Sequence, residues 1–539
     1  MIGERRLALG FAFLFSACAG GGGNGAGTEA IGGEEAPPAA PVEGGALPSL
    51  PPLAVADLSA VEGNGATVKV PIAATAQIAV RVMFYSGSID DPHGKEGLTA
   101  LTARLVAEGG TERLAYPDLL KALYPMAAEL AAQVDKEETV FHVLVHKDHV
   151  TKLAPLLAEV LTTPRLGEKD LERIRQDMIN DIEKRLRTTD DENLGKAVLN
   201  ELLYPAGHPY HHLVGGTVEG LKAITPADVK AQWQRVFGKK RMVLGLAGGI
   251  DAAVEKTLTD ALSKLGEGEP RLAAIPPAVR LEKTRVVIAK KPAKAVAVSM
   301  GFAHGAFRGH PDFPALALVQ SYFGEHRQFH GVLMSEMREK RGLNYGDYAY
   351  VESFIQDGWS RDVKTNIARR RQHFEMWIRP VDPKDAVFAT RLALFLRDRL
   401  VREGVPAKSL TETAGFLNGY TRLWELTPMR RLGWALDGHF YGSEGWLDQY
   451  RAALGGLTKD QVDQAIRRNL SANALAIAMV AEDAEGLKNA LLSGEPSVKK
   501  YEAQVAEPVL AMDRQMASFP LGVSAEQIEI VPVESLFQR

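Results

Sequence analysis

Two hydrophobic periods alternate along this chain, and they alternate twice. In TVKVPIAATAQIAVRVMFYSG, residues 67–87, apolar positions recur at every second residue, the spacing of half-buried strands. Residues 97–111, GLTALTARLVAEGGT, switch to the helical period. Leu98, Leu101, Leu105 and Val106 fall at i, i+3, i+7 and i+8, and glycines close the segment. The second face of that helix carries Ala100, Ala103, Arg104 and Ala107, a stripe of small residues broken by one arginine. Helical spacing returns at about 116–132 and at 169–187, with a strand, TVFHVLVH, at 139–146.

The same order then starts again. RVVIAKKPAKAVAVSMGFAHG, 285–305, reads as strands, and PALALVQSYFG, 314–324, as a helix. An offset of 218 residues carries Phe84 onto Phe302, Gly87 onto Gly305 and Leu98 onto Leu316. The pattern predicts an α+β protein of two homologous mixed α/β domains, 67–270 and 283–500. They are joined through the Gly/Pro-rich stretch GEGEPRLAAIPPAVRLEK, and a tail, 501–539, is expected to pack as an extended arm.

Composition narrows the class. Of 539 residues, 46% are hydrophobic and 24% charged, with 63 basic against 67 acidic side chains and a net charge of -4. That balance argues against a nucleic-acid-binding surface. The first 18 residues, MIGERRLALGFAFLFSAC, have a basic start, a short apolar run and then small residues, the layout of an export signal. Cys18 is the sole cysteine, and the Phe15-Ser16-Ala17 before it resembles a bacterial lipobox. The expectation is a lipidated Cys18, a flexible Gly/Pro-rich tether over 19–52, and an exported lipoprotein of the bacterial cell envelope. Its expected place is the periplasmic side of the outer membrane, with the lipid as its sole membrane contact.

Four separated segments carry a family resemblance. They are GSIDDPHGKEGLTALTARLVAEGGT (87–111), LYPAGHPYHHLVGGTVEGLKAITPADV (203–229), GLAGGID (245–251) and SEMREKRGLNYGDYAY (335–350). Together they resemble the insulinase/pitrilysin family of zinc peptidases, in its processing-peptidase-like branch, which implies two α/β domains arranged as a clamshell. In active members an inverted motif, H-x-x-E-H, puts two histidines on one helical face to bind zinc and a glutamate beside them as general base. Alignment on this resemblance puts Ala100 and Arg104 at the histidine positions and Ala103 at the glutamate. Alanine has no donor atom, and a guanidinium stays protonated and repels a cation. The resemblance places the third ligand at Asp181, in RQDMINDIEKRL beside an apolar stripe that turns it inward. The expectation is that Arg104 and Asp181 form an ion pair in place of the metal.

Histidines elsewhere do not supply an alternative zinc site. His142, His146 and His149 lie on or beside a predicted strand, where residues four apart are about 13 Å from each other. His208, His211 and His212 fall in HPYHH, which the resemblance reads as a structural loop. His326 and His330 are four apart, but Phe329 stands where an inverted motif has its glutamate.

The second-domain segment is retained. The resemblance implies that Arg338 and Tyr345, within REKRGLNY, hold substrate backbone opposite the zinc; Arg341 and Tyr348 share the spacing. Loss of the metal motif with retention of this pair implies a noncatalytic, peptide-binding subunit, with no cofactor of its own and zinc in a partner that carries H-x-x-E-H. The alternatives are a self-sufficient peptidase with a non-standard metal site, and a scaffold or peptide-binding lipoprotein without a proteolytic partner.

Overall fold

The computed structural model describes residues 46–54, 58, 63–272, 274–325, 330–356 and 363–539. The signal, Cys18, most of the tether and His326 lie outside them. Among the described residues eleven strands form two sheets. The first contains β1 (Ala66–Pro71), β2 (Gln77–Phe84), β3 (Ala131–Val134), β4 (Thr139–His146) and β5 (Met242–Gly248) in the order β1-β5-β2-β4-β3. The second contains β6 (Arg285–Lys290), β7 (Val296–His304), β8 (Asp347–Tyr350), β9 (Gln372–Val381), β10 (Ala476–Ala481) and β11 (Ile528–Pro532) in the order β11-β6-β10-β7-β9-β8.

The internal repeat is visible in this topology. β1 and β5 are parallel and β5, β2, β4 and β3 alternate antiparallel. β6 and β10 are likewise parallel, and β10, β7, β9 and β8 alternate in the same way. The mixed α/β fold expected from the two periods is therefore present, built twice. β11 is an addition to the repeat, laid parallel on β6.

Each sheet is covered by a helix from the opposite half of the chain. Helix Asp191–Leu203 packs on β7 and β10, where Leu194, Val198 and Leu199 join Ala297, Ala478 and Val480 in one core. Helix Pro428–Phe440 lies on β1, β2 and β5, and Leu432, Leu436 and Phe440 bury against Ala79, Met83 and Val243. Burial of each such side chain is worth roughly 1.5–3 kcal/mol. The approach is close enough that a Cβ at Gly245 would stand 2.9 Å from the Leu436 side chain, so the strand carries glycine there.

Two expectations need correction. The helix expected over 116–132 spans only Tyr116–Leu123, with one further turn, Tyr124–Met126. Pro125 lacks the N–H to continue it and Ala127 turns to φ 48°, which frees 131–134 to become the outer strand β3. The tail is not simply extended. It forms helix Glu507–Met516 and β11, then returns to the first half, where Val218 and Glu219 N–H groups donate to the Phe537 and Gln538 carbonyls at 3.1 and 2.9 Å. Among the described residues no helix is long and apolar enough to cross a membrane.

Candidate functional site

The helix at the motif position spans Leu98–Glu108 and is held firmly in place. Gly97 precedes it at φ 101°, a left-handed conformation that suits glycine. The Asp91 carboxylate accepts from the backbone N–H groups of Gly97 and Thr99 at 2.8 and 2.7 Å, serving donors that the helix start leaves open. His212 Nε2 lies 3.1 Å from the same carboxylate. His208 bonds the Pro276 carbonyl at 3.0 Å and His211 the Tyr204 carbonyl at 2.7 Å. Of the HPYHH histidines, His212 thus ties the loop to the start of this helix, while His208 and His211 tie it to residues 276 and 204.

The three positions of the inverted motif hold nothing that could bind or activate water. Ala100 is buried in the core that includes Leu101 and Ile174, and Ala103, 0% exposed, packs with Phe84 and Val106. Arg104 pairs with Glu108 at 3.1 Å and Asp177 at 3.7 Å, in a surface cluster with Arg173. Zinc does not fit this donor set. Among the described residues no group of three or more His, Cys, Asp or Glu side chains converges to hold a metal.

The expected Arg104–Asp181 pair is a correction. Asp181 is more than half exposed and pairs with Arg185 at 3.3 Å. The cause is local geometry: helix Glu168–Asn180 passes into a π-helix over Asp181–Thr189, in which the Thr188 hydroxyl reaches the Glu183 carbonyl at 2.9 Å. Asp181 follows Asp177 by one turn at the end of the α-helix and turns to Arg185, four residues further on. Asp181 instead lines a cavity of about 440 Å³ between the halves, together with Lys136, Arg369, His373, Glu375 and Trp377.

The strand histidines are separated as the alternation requires. His142 sits in β4 opposite Arg81 of β2, and burial, reinforced by Arg81 and Lys364, pushes its imidazole down to about 4. His146 lies beside Asp148 at 3.3 Å, while His149 caps helix Val150–Thr162. His330 is exposed.

The retained segment contains another π-helical stretch, Met334–Glu339. Arg341, which shares the Arg/Tyr spacing, is buried and committed: it donates to Glu336 at 2.9 Å and to Asp513 of the tail at 2.8 Å. Tyr348 is buried beside Met334, Tyr350 and Trp377. Tyr345 is the opposite case, 81% exposed at the tip of a turn. Asn344 fixes that turn by donating to Asp347 at 2.7 Å and accepting from the Gly346 N–H at 2.9 Å. Burial pushes the Asp347 carboxyl up to about 7. Arg338 is half-buried, with a guanidinium nitrogen 3.8 Å from the Met334 sulfur.

Sequence reading passed over a buried ionic seam. Asp135, Lys136, Glu137 and Glu138, in the β3–β4 hairpin, meet Ala368, Arg369 and Arg370 before β9. Arg369 grips Asp135 through two bonds at 2.7 and 2.8 Å, Arg370 bonds Glu137 at 2.6 Å, and the Ala368 N–H donates to Glu138 at 2.8 Å. The complementary runs DKEE and RRR were a signal, but each alone reads as a solvated face.

Fold and site together define a duplicated α/β peptidase scaffold whose metal positions are filled with apolar and cationic side chains. The family model described as "Insulinase (Peptidase family M16)" matches residues 67–206, and that of the "Peptidase M16 inactive domain" matches 223–360, together just over half of the chain. The chain belongs to the insulinase, or M16, family. Curated relatives include an uncharacterized zinc protease of Mycobacterium bovis, 25% identical over 244 residues, covering 45% of this chain and 54% of that protein. The non-peptidase homolog YmxG of Helicobacter pylori is 27% identical over 185 residues, covering 34% and 41%. Mitochondrial-processing peptidase subunit beta of Blastocladiella emersonii is 24% identical over 286 residues, covering 52% and 59%. The chain spans about half the length of these relatives. Among solved structures, a peptidase M16 inactive domain from Pseudomonas fluorescens shares the fold at a TM-score of 0.68 and 22% identity, over 77% of this chain and 95% of that one.

Proposed function

We propose that this chain is the noncatalytic, peptide-binding subunit of an insulinase-family zinc peptidase in the cell envelope, held there by a lipid on Cys18. The observation that carries the reading is a contrast within one molecule. The Leu98–Glu108 helix is braced in place with Ala100, Ala103 and Arg104 at the motif positions, while Tyr345 is presented to solvent by an ordered turn. Arg338 and Tyr345 offer donors to a peptide carbonyl, and substrate would be shared with an H-x-x-E-H-bearing partner that holds the zinc. β3, the outer strand of the first sheet, offers an edge along which an extended peptide could add. Two relatives bear names that make them subunits of assemblies, mitochondrial-processing peptidase subunit beta and the bovine cytochrome b-c1 complex subunit 1.

The test is reconstitution. The purified chain, alone and mixed with an intact H-x-x-E-H homologue, is assayed for zinc content and peptide hydrolysis. Zinc well below one per chain, with hydrolysis that needs both proteins and falls in the Tyr345→Phe variant, supports the reading. Hydrolysis by the lone chain, or activity of the partner that ignores its presence, overturns it. The name of the non-peptidase relative favours a second reading, a scaffold without a proteolytic partner; it predicts no effect of Tyr345→Phe on any peptidase.

A further inference from the structure

The cavity between the halves has an unbalanced charge. Its walls are the Asp181–Thr189 π-helix, helix Asp191–Leu203, residues 213–215 and 353–356, and one face of β9 carrying His373, Glu375 and Trp377 at alternate positions. Three of its cations are matched. Arg369 is held by Asp135, Lys196 by Glu192 at 3.0 Å, and Arg185 by Asp181 and Asp190. His373 and Glu375 face each other at 3.4 Å.

Lys136 is different. It is 2% exposed, its ammonium donates to the His212 carbonyl, and among the described residues it forms no ion pair. The charged groups around it are Arg369, Asp135, Asp91 and Glu201. Asp135 is committed to Arg369, and Asp91 to the start of the Leu98–Glu108 helix and to His212. Glu201 lies near Lys136 without an ion pair; burial pushes that carboxyl up to about 7, and burial with the nearby Arg369 pushes Lys136 down to about 7. A buried cation without a counter-ion is costly unless an anion joins it.

A second, independent observation concerns the same wall. The Trp377 indole N–H is buried and has no acceptor among the described residues. A buried donor of this kind calls for a carbonyl or carboxylate oxygen, or a water that a ligand could displace. Beside it, Phe354, Ile182 and Leu213 give the cavity an apolar side, and its size suits a small ligand or the end of a peptide.

We infer that this cavity binds a carboxylate carrying an aromatic or large apolar group, with Lys136 opposite the carboxylate, the Trp377 indole N–H donating to the ligand, and Phe354 beside the apolar group. The site is separate from Arg338 and Tyr345 and does not depend on a partner chain.

The test uses the full mature chain and calorimetric titration with N-acetyl-phenylalanine, its amide, and a pentapeptide ending in phenylalanine with and without a free carboxylate. The acid is expected to bind at least tenfold more tightly than the amide, and Lys136→Met to reduce the acid to the level of the amide. Trp377→Phe, which keeps an aromatic ring beside Tyr350 and Phe354, is expected to weaken the acid several-fold and serves if Lys136→Met fails to fold. If the free-acid pentapeptide binds as well as N-acetyl-phenylalanine, the natural ligand is a peptide terminus; if only the small acid binds, it is a free metabolite of that chemistry. Equal binding of acid and amide, or binding of neither, overturns the inference.

Discussion

The Arg104 guanidinium stands 3.7 Å from the Asp177 carboxylate, one helical turn before Asp181. The pair lies on the outer side of the Leu98–Glu108 helix, in a cluster with Glu108 and Arg173. Both partners are partly exposed, and such a pair contributes little. Arg104→Ala is expected to cost under about 1 kcal/mol in urea denaturation. Ala103→Glu, which would restore the general-base residue, puts a carboxylate among Phe84 and Val106 and should cost roughly 3–5 kcal/mol or prevent folding.

The seam between the hairpin and β9 is expected to behave in the opposite way. Arg369→Ala leaves Asp135 buried and unpaired, at a cost of about 3–5 kcal/mol. Adding Asp135→Asn to it removes the stranded charge and should recover a substantial part of that loss. A double-mutant cycle by chemical denaturation measures the recovery.

Glu325, which follows helix Phe313–Gly324, is buried, and burial pushes its carboxyl up to about 7. Its folded value lies above the unfolded one, so the native state holds the extra proton between about pH 4.5 and 7. The group's contribution to stability therefore falls as pH rises through that window, and the penalty persists above it. Glu325→Gln should match the parent near pH 5 and exceed it by on the order of 2–3 kcal/mol at pH 8. Thermal or urea melts at the two pH values read the difference.

Arg341 and Tyr345 lie four residues apart and should separate cleanly by readout. Arg341→Ala removes the buried guanidinium that joins Glu336 to Asp513, leaving Glu336 to Lys340 and Asp513 to the Tyr501 hydroxyl, and should lower the melting temperature by several degrees. Tyr345→Phe removes one hydroxyl from an exposed ring and should leave the melt within error. Its effect, on the proposed function, appears only in partner-dependent hydrolysis.

Much of the architecture was legible because burial writes a period into sequence. Strands such as TVFHVLVH and the Leu98–Glu108 helix follow their apolar spacing, and the 218-residue echo corresponds to a real repetition of strand order. β3 was not legible: AAQV has little β-branching, and its strand character comes from pairing with β4. Asp181 was misplaced because its nearness to an apolar stripe was read as an inward side chain, whereas it lies on the exposed side and pairs with Arg185. The ionic seam was hidden because charge runs carry no mark of burial until their partner, more than 200 residues away, is known.

The crossed helices carry a consequence for how the chain came to be. A sheet face covered only by a helix from the other repeat has no cover of its own, so neither repeat is a self-sufficient module. Whatever duplication produced them ended in mutual dependence: cut within 274–283, the two pieces would have to find each other again or leave bare β surface to aggregate.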